Sequence, residues 1–182
     1  MRSAIVIPAY DEQASIGQAV ASVANYGDVI VVSDGSVDAT AEVSRQAGAT
    51  VIEHEINRGY DAALATGFHH ADQINYDVVA SFDADGQLEA DAIGRALAVI
   101  EQGDAEMVLG QRSSMPRFSE ILFGSYTRLR FGVPDILCGL KAFAMPVYRK
   151  HRKSMNRPTV FTGIALAALR AKTRFTLIPV AV

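Results

Sequence analysis

Cys138 is the only cysteine in 182 residues. That excludes an internal disulfide and suits a reducing compartment. Long hydrophobic runs are also missing, although 49% of the residues are hydrophobic. A transmembrane helix needs roughly 20 apolar residues in succession, and no stretch approaches that. The opening, MRSAIVIPAYDE, turns acidic after a short apolar stretch and does not read as a signal peptide. There is no internal repeat and no low-complexity tract. Phosphate-binding loops are absent: no G-x-G-x-x-G follows the first apolar run, and G-x-x-x-x-G-K-[ST] occurs nowhere. A Rossmann dehydrogenase and a P-loop NTPase are thereby disfavoured. His54, His69, His70 and His151 have no metal-ligand spacing, and no Asp or Glu follows Asp135.

What is present is unevenly charged. Residues 1–111 hold 18 of the 20 acidic residues and 4 of the 17 Lys and Arg, whereas residues 112–182 hold 13 Lys and Arg with only Glu120 and Asp135. Either the back half meets something anionic, or its cations are solvated on helix surfaces.

Apolar runs and helical periodicities alternate along the first part. Ser3–Ile7 reads as a buried strand ended by Pro8, and Glu12–Asn25 as a helix with Ile16, Val20 and Val23 on one face. Val29–Val32 is a second strand. Ser36 reads as a helix N-cap, with Asp38 in the first turn. Thr50–Glu53, Val78–Phe82 and Glu106–Leu109 read as strands, and Gly59–Ala71 and Glu89–Glu101 as helices. The series implies an α/β fold with a mainly parallel sheet. After Gly110 the pattern loosens. Arg117–Phe131 and Val160–Ala171 read as helices, and Phe175–Val180 as a last strand.

In an open α/β sheet, ligands bind beyond the carboxyl ends of the strands. Three such ends carry polar clusters: Pro8-Ala9-Tyr10-Asp11-Glu12, Ser33-Asp34-Gly35-Ser36 and Asp83-Ala84-Asp85-Gly86-Gln87. Either these residues are turn chemistry, or they form one acidic rim. A bare diphosphate would be repelled by such a rim. Mg²⁺ or Mn²⁺ resolves the conflict, because these ions take carboxylates together with substrate phosphates. Asp83 and Asp85, with the Gln87 carbonyl oxygen beside them, offer that ligand set.

The stretches IVIPAYDEQASIG (5–17), VIVVSDGSVDAT (29–40), NRGYDAALATGF (57–68), FDADGQLEAD (82–91), VLGQR (108–112) and DILCGLKAF (135–143) together resemble glycosyltransferase family 2. The nearest branch is that of the dolichyl- and polyprenyl-phosphate hexose synthases. The resemblance implies a GT-A (Rossmann-like) three-layer α/β sandwich with a mainly parallel central sheet, as one domain over 1–182. Residues 1–111 would bind the nucleotide-sugar, and 112–182 would form the acceptor side.

Site roles follow from the resemblance, residue by residue. Pro8, Ala9, Tyr10 and Glu12 would line the nucleotide pocket. Asp34 would hydrogen-bond the nucleobase, and Asp83 and Ala84 would touch the nucleoside. Asp85 and Gln87, with Asp83, would hold Mg²⁺ or Mn²⁺ on the diphosphate. Arg112 would lie near the donor phosphates or the acceptor, and Asp135 would border the sugar and acceptor. Cys138 reads as a buried small hydrophobe. The sequence departs from the family pattern at Asp11, where Asn is usual, and at Leu88, where many members have His. The interval from Arg112 to Asp135 is short, and relatives continue beyond the point equivalent to LIPVAV into a basic arm and often transmembrane helices.

The resemblance further implies inverting transfer of a hexose from a UDP- or GDP-linked donor. A sugar hydroxyl acceptor needs a general base, and Ala165 stands where many saccharide-forming relatives place an acid. A phosphate acceptor is already an oxyanion. A polyprenyl phosphate is therefore favoured over a saccharide, with Asp135 as base in the other case. A nucleotide-sugar-binding module without activity is the third reading. A nucleotidyltransferase would need a Gly-rich activation loop that residues 8–17 lack. The expected location is cytoplasmic, peripheral on the cytosolic membrane face, with no nucleic-acid partner. A second copy of the chain or a membrane partner protein is a further expected partner, with a natural minimal form and a fragment as the alternatives. The segment RFSEILFGSYTRLRF is the expected membrane contact, through Phe118, Ile121, Leu122 and Leu129 with Arg117, Arg128 and Arg130.

Overall fold

The computed structural model describes residues 1–85, 89–112, 118–155 and 160–181. The strands are β1 (Ser3–Ala9), β2 (Asp28–Asp34), β3 (Thr50–His54), β4 (Val78–Ser81), β5 (Met107–Arg112), β6 (Lys141–Ala144) and β7 (Phe175–Val180). The helices are α1 (Ile16–Val23), α2 (Thr40–Gln46), α3 (Tyr60–Gln73), α4 (Asp91–Glu101), α5 (Phe118–Phe131), α6 (Met145–His151) and α7 (Val160–Arg170), with a 3-10 turn at Arg152–Met155. Together the strands form one sheet in the order β3-β2-β1-β4-β6-β5-β7. Only β6 runs antiparallel to its neighbours.

Alternation along the strands sends side chains to both faces, and each face is covered. Ile5, Ile7, Val29, Val31 and Ala80 meet Ile16, Val20, Ile93 and Leu97 of α1 and α4. On the other face Val6, Ile30, Val32, Val79 and Leu109 meet Leu64 and Phe68 of α3 and Ile164 and Ala168 of α7. Near-continuous apolar strands are what burial on both faces demands. The three-layer α/β expectation is met.

Several boundaries differ from the sequence reading. Pro8 does not end β1: it lies within the strand, opposite Val32. Val6 carbonyl oxygen accepts from Phe82 N–H, so Pro8, two residues on, faces the same side. The β4 ladder has already stopped there at Ser81. The missing N–H of proline thus removes no ladder bond. Helix α1 starts at Ile16 rather than Glu12, because residues 12–15 form a turn closed by Ser15 N–H and Ile16 N–H on Glu12 carbonyl oxygen. Ser36 is not an N-cap. Helix α2 begins at Thr40, whose N–H donates to Asp38 Oδ1 at 2.9 Å. Strand β6 and helix α6 were not anticipated.

Candidate active site

The carboxyl ends of β1, β2 and β4 meet at one rim, as the topology rule requires. Part of each polar cluster there is spent on joining loops. Asp11 adopts φ +54°, a left-handed conformation that Asp and Asn tolerate. Its N–H donates to Ser36 Oγ at 3.1 Å, and its Oδ1 accepts from Val37 N–H at 2.9 Å. Asp for Asn at this position therefore preserves the turn. Glu12 N–H donates to Thr40 Oγ1 at 2.8 Å. Gly35, at φ +73°, lies against the 56–57 backbone so closely that a Cβ would sit 2.3 Å from Asn57 N. These contacts lock the first two loops to the 55–59 segment.

The remaining polar residues line a cavity of about 630 Å³. Pro8, Ala9, Tyr10, Glu12, Asp34, Asp83, Ala84, Asp85 and Arg112 all contribute to it, as the sequence reading expects. Gln87 lies outside the described residues. Asp135 lies behind Arg112 rather than on the cavity wall. Its carboxylate is buried and takes a bidentate pair from Arg112, Nε to Oδ2 at 2.8 Å and Nη2 to Oδ1 at 3.1 Å. Backbone N–H of Arg112 adds a third contact at 3.3 Å.

Asp83 is half-buried and accepts from Tyr60 Oη at 2.7 Å. Burial raises its pKa above the ordinary carboxylate value, with the Tyr60 hydrogen bond and the positive charges of Lys141 and Arg112 opposing the rise. The Tyr60 phenol is pushed far up by desolvation and by the adjacent Asp83 charge. Asp85 is exposed at the turn beyond β4.

No three His, Cys, Asp or Glu side chains converge as a complete metal-binding set among the described residues. Two carboxylates, Asp83 and Asp85, stand on one strand end. Such a pair fits a hard cation that keeps coordination positions for phosphate oxygens.

Sequence reading missed the second wall, which consists of Asn57, Gly59, Tyr60, Ala63, Leu137 and Gly139. It also missed Lys141. This lysine is buried in β6, with Nζ 2.5 Å from Cys138 carbonyl oxygen and 4.6 Å from the Phe161 ring centroid. Desolvation lowers its pKa. A lone lysine in the apolar run ILCGLKAFAM was the available signal, since buried charge needs partners. Cys138 is buried as expected, and burial pushes its thiol up.

Gly139 presses on the carboxylate at the cavity floor. A Cβ there would lie 1.9 Å from Asp83 Oδ2. Ser81 Oγ holds Gly139 carbonyl oxygen at 2.5 Å, and Lys141 N–H holds Ser81 Oγ at 3.1 Å, so the turn cannot back away freely. Gly139→Ala should cost about 1–3 kcal/mol by overpacking against Asp83. Urea unfolding checks this, and wild-type stability would mean that Asp83 swings clear.

The basic excess of the back half is only partly spent here. A second cavity, about 700 Å³, lies away from the carboxylates and is lined by Arg130, Arg170, Lys172 and Arg174 with Asp104. Its cations cluster at the carboxyl ends of α5 and α7, where positive charge offsets the helix dipole.

Known proteins share this arrangement. Residues 4–165 match the profile of Glycosyl transferase family 2. The UDP-N-acetylglucosamine–dolichyl-phosphate N-acetylglucosaminyltransferase of Methanococcus voltae is 28% identical over 176 residues, covering 77% of this chain and 68% of that protein. The undecaprenyl-phosphate 4-deoxy-4-formamido-L-arabinose transferase of Salmonella choleraesuis is 28% identical over 190 residues, covering 93% of this chain and 57% of that protein. This chain thus spans between little more than half and about two thirds of the length of these relatives. Glucosyl-3-phosphoglycerate synthase from Mycobacterium tuberculosis, solved with Mg²⁺ and UDP, superposes with a TM-score of 0.78 at 18% identity, covering 98% of this chain and 69% of that one. That likeness establishes the fold, which is the expected GT-A sandwich. The family profile runs from β1 into α7 and so takes in every element that lines the carboxylate cavity: the chain belongs to glycosyl transferase family 2.

Proposed function

We propose that the protein transfers a hexose from a UDP- or GDP-linked donor to a polyprenyl phosphate, with inversion and with Mg²⁺ or Mn²⁺ on the donor diphosphate. The observation that carries this reading is the pairing of Asp83 and Asp85 beside Arg112, in a cavity at the strand carboxyl ends. Relatives named for dolichyl-phosphate and undecaprenyl-phosphate transfer support the acceptor class. Residues 1–111 hold the donor in this reading, and 112–182 form the acceptor side.

Each side chain has a defined task. Asp34 accepts from a nucleobase, and Asp83 accepts from the nucleoside. Asp85, with Gln87, holds the cation, which when bound offsets charge on the departing diphosphate. Arg112 presents positive charge at the same end of the cavity. The acceptor phosphate oxygen attacks the anomeric carbon as the bond to the donor diphosphate oxygen breaks. The nucleoside diphosphate leaves with that electron pair. No proton is abstracted from the acceptor. The bidentate Arg112–Asp135 pair supports this, because it commits the carboxylate that a hydroxyl acceptor would need as base.

The deciding experiment supplies UDP- and GDP-sugars with polyprenyl phosphate, with Mn²⁺ or with EDTA. Glycolipid of inverted anomeric configuration should form with Mn²⁺ alone. Transfer only to saccharide hydroxyls, or no turnover despite nucleotide binding, would refute the reading.

Membrane contact is part of the proposal, at the cytosolic face. No helix among the described residues is long and apolar enough to cross a bilayer. The side chains of 118–123, including Phe118, Ile121 and Leu122, lie outside the described set, as does Arg117. At the carboxyl end of α5, however, Leu129 is 91% exposed beside exposed Arg128 and Arg130, with Tyr126 one turn away. Apolar area flanked by cations suits an anionic lipid surface. Binding to anionic vesicles should weaken with salt and be lost in Arg128→Glu/Arg130→Glu without a fall in Tm. A double variant that unfolds, or wild-type protein that ignores the vesicles at low salt, would count against it.

A further inference from the structure

His54 does not appear on the cavity wall, yet it touches the carboxylate that does. It ends β3 directly across the ladder from Asp34 at the end of β2. Its Nδ1 lies 2.6 Å from Asp34 Oδ1, and its Nε2 lies 2.9 Å from Thr66 Oγ1 of α3. Both side chains of the pair are about 95% buried, at 5% and 4% exposure. Two backbone groups complete the arrangement: Arg58 N–H donates to Oδ1 at 3.0 Å, and Gly59 N–H donates to Oδ2 at 2.7 Å.

Counting acceptor positions gives these contacts a meaning. A carboxylate oxygen accepts about two hydrogen bonds. Oδ1 is filled by His54 and Arg58, and Oδ2 holds Gly59 and has one position left. Asp34 lines the donor cavity. An ionised carboxylate only accepts, so His54 must donate through Nδ1. The Thr66 hydroxyl can then donate to Nε2 or accept from it, which anchors the ring to α3 in either case.

We infer that His54 is a positioning residue for nucleobase choice: with the Arg58 and Gly59 amides it fixes the Asp34 carboxylate, so that a single acceptor position on Oδ2 meets the base. This rests on the proposed reading of Asp34 as the base-recognising group. One acceptor in a fixed direction suits a base with a ring N–H at that edge, as in uracil or guanine. Adenine and cytosine carry a ring acceptor at the equivalent position, and two acceptors facing each other repel. Without His54 the carboxylate gains a second open position on Oδ1 and freedom to turn about its Cβ–Cγ bond. It can then accept from an exocyclic amine, and discrimination between the base classes falls.

The test measures dissociation constants of UDP, GDP, CDP and ADP with Mg²⁺ for the wild type and for four variants. His54→Leu should lose about tenfold of the preference for UDP or GDP over ADP and CDP, the scale of one hydrogen bond. His54→Asn places an amide N–H near the Nδ1 position and should restore most of that preference. His54→Gln places it near the Nε2 position and should not. Nitrogen-15 NMR of the wild type should show a slowly exchanging proton on His54 Nδ1. Asp34→Ala separates the two claims. If it keeps the wild-type preference, the Asp34 reading itself is wrong. If it loses the preference while His54→Gln keeps it, Asp34 reads the base and the His54 inference is overturned. Should His54→Leu fail to fold, the contrast between His54→Asn and His54→Gln still decides, and equal selectivity in those two overturns the inference.

Discussion

Arg112→Ala should lower the free energy of unfolding by about 3–5 kcal/mol, the usual cost of removing one partner from a buried ion pair. Among the described residues, Asp135 would be left with its carboxylate 2% exposed and the 112 backbone N–H as the one close partner of its side chain. For a chain of this size the change corresponds to a fall in Tm of roughly 6–20 °C. Arg112→Lys should recover only part of the loss, since an ammonium cannot reproduce the two parallel N–H contacts. The informative variant is Arg112→Ala/Asp135→Ala. It removes the orphaned charge and should be more stable than Arg112→Ala alone. Chemical denaturation of these variants and of Asp135→Ala, each against the wild type, checks this. Strict additivity of the two single substitutions would mean that the pair carries no coupling and that Arg112 serves the ligand only.

Asp85→Asn should act oppositely, on binding and turnover rather than on folding. The residue is exposed at the turn after β4, so an amide of the same shape should leave the free energy of unfolding within about 0.5 kcal/mol of the wild type. On the proposed reading, the substitution removes the charge that Asp85 would offer to a cation on the donor diphosphate. UDP binding in Mn²⁺ should weaken to the level measured in EDTA, and transfer should fall by about 10²–10³-fold, as when a transition-state charge loses its stabiliser. Calorimetric titration of UDP with and without Mn²⁺ gives the first quantity, and glycolipid formation gives the second. If Mn²⁺ strengthens UDP binding as much in the variant as in the wild type, Asp85 is not the metal ligand.

Local pattern alone determined the order of strands and helices from Ser3 to Arg112, though not all of their ends, because a strand or helix buried on known faces writes its own periodicity. Ile16, Val20 and Val23 lie buried on one face of α1, as read, and Leu64, Phe68 and Ala71 are buried on α3. The rim of acids was equally legible: once strands alternate with helices, chain topology places their carboxyl ends together, and Tyr10, Asp34, Asp83 and Asp85 share one cavity. Tertiary structure alone decided the rest, for reasons of distance along the chain. Pro8 stays in β1 only because β4 is short on that side. Strand β6 has just four residues, one of them a buried lysine, and is a strand because β4 and β5 leave a place between them. Asp135 reads from sequence as a catalytic candidate, and that Arg112, 23 residues earlier, pairs with both its oxygens emerges only in the fold. His54 has no sequence signature at all. It matters because the parallel register of β2 and β3 sets it against Asp34, and a hydrogen bond across 20 residues is invisible until two strands are laid side by side.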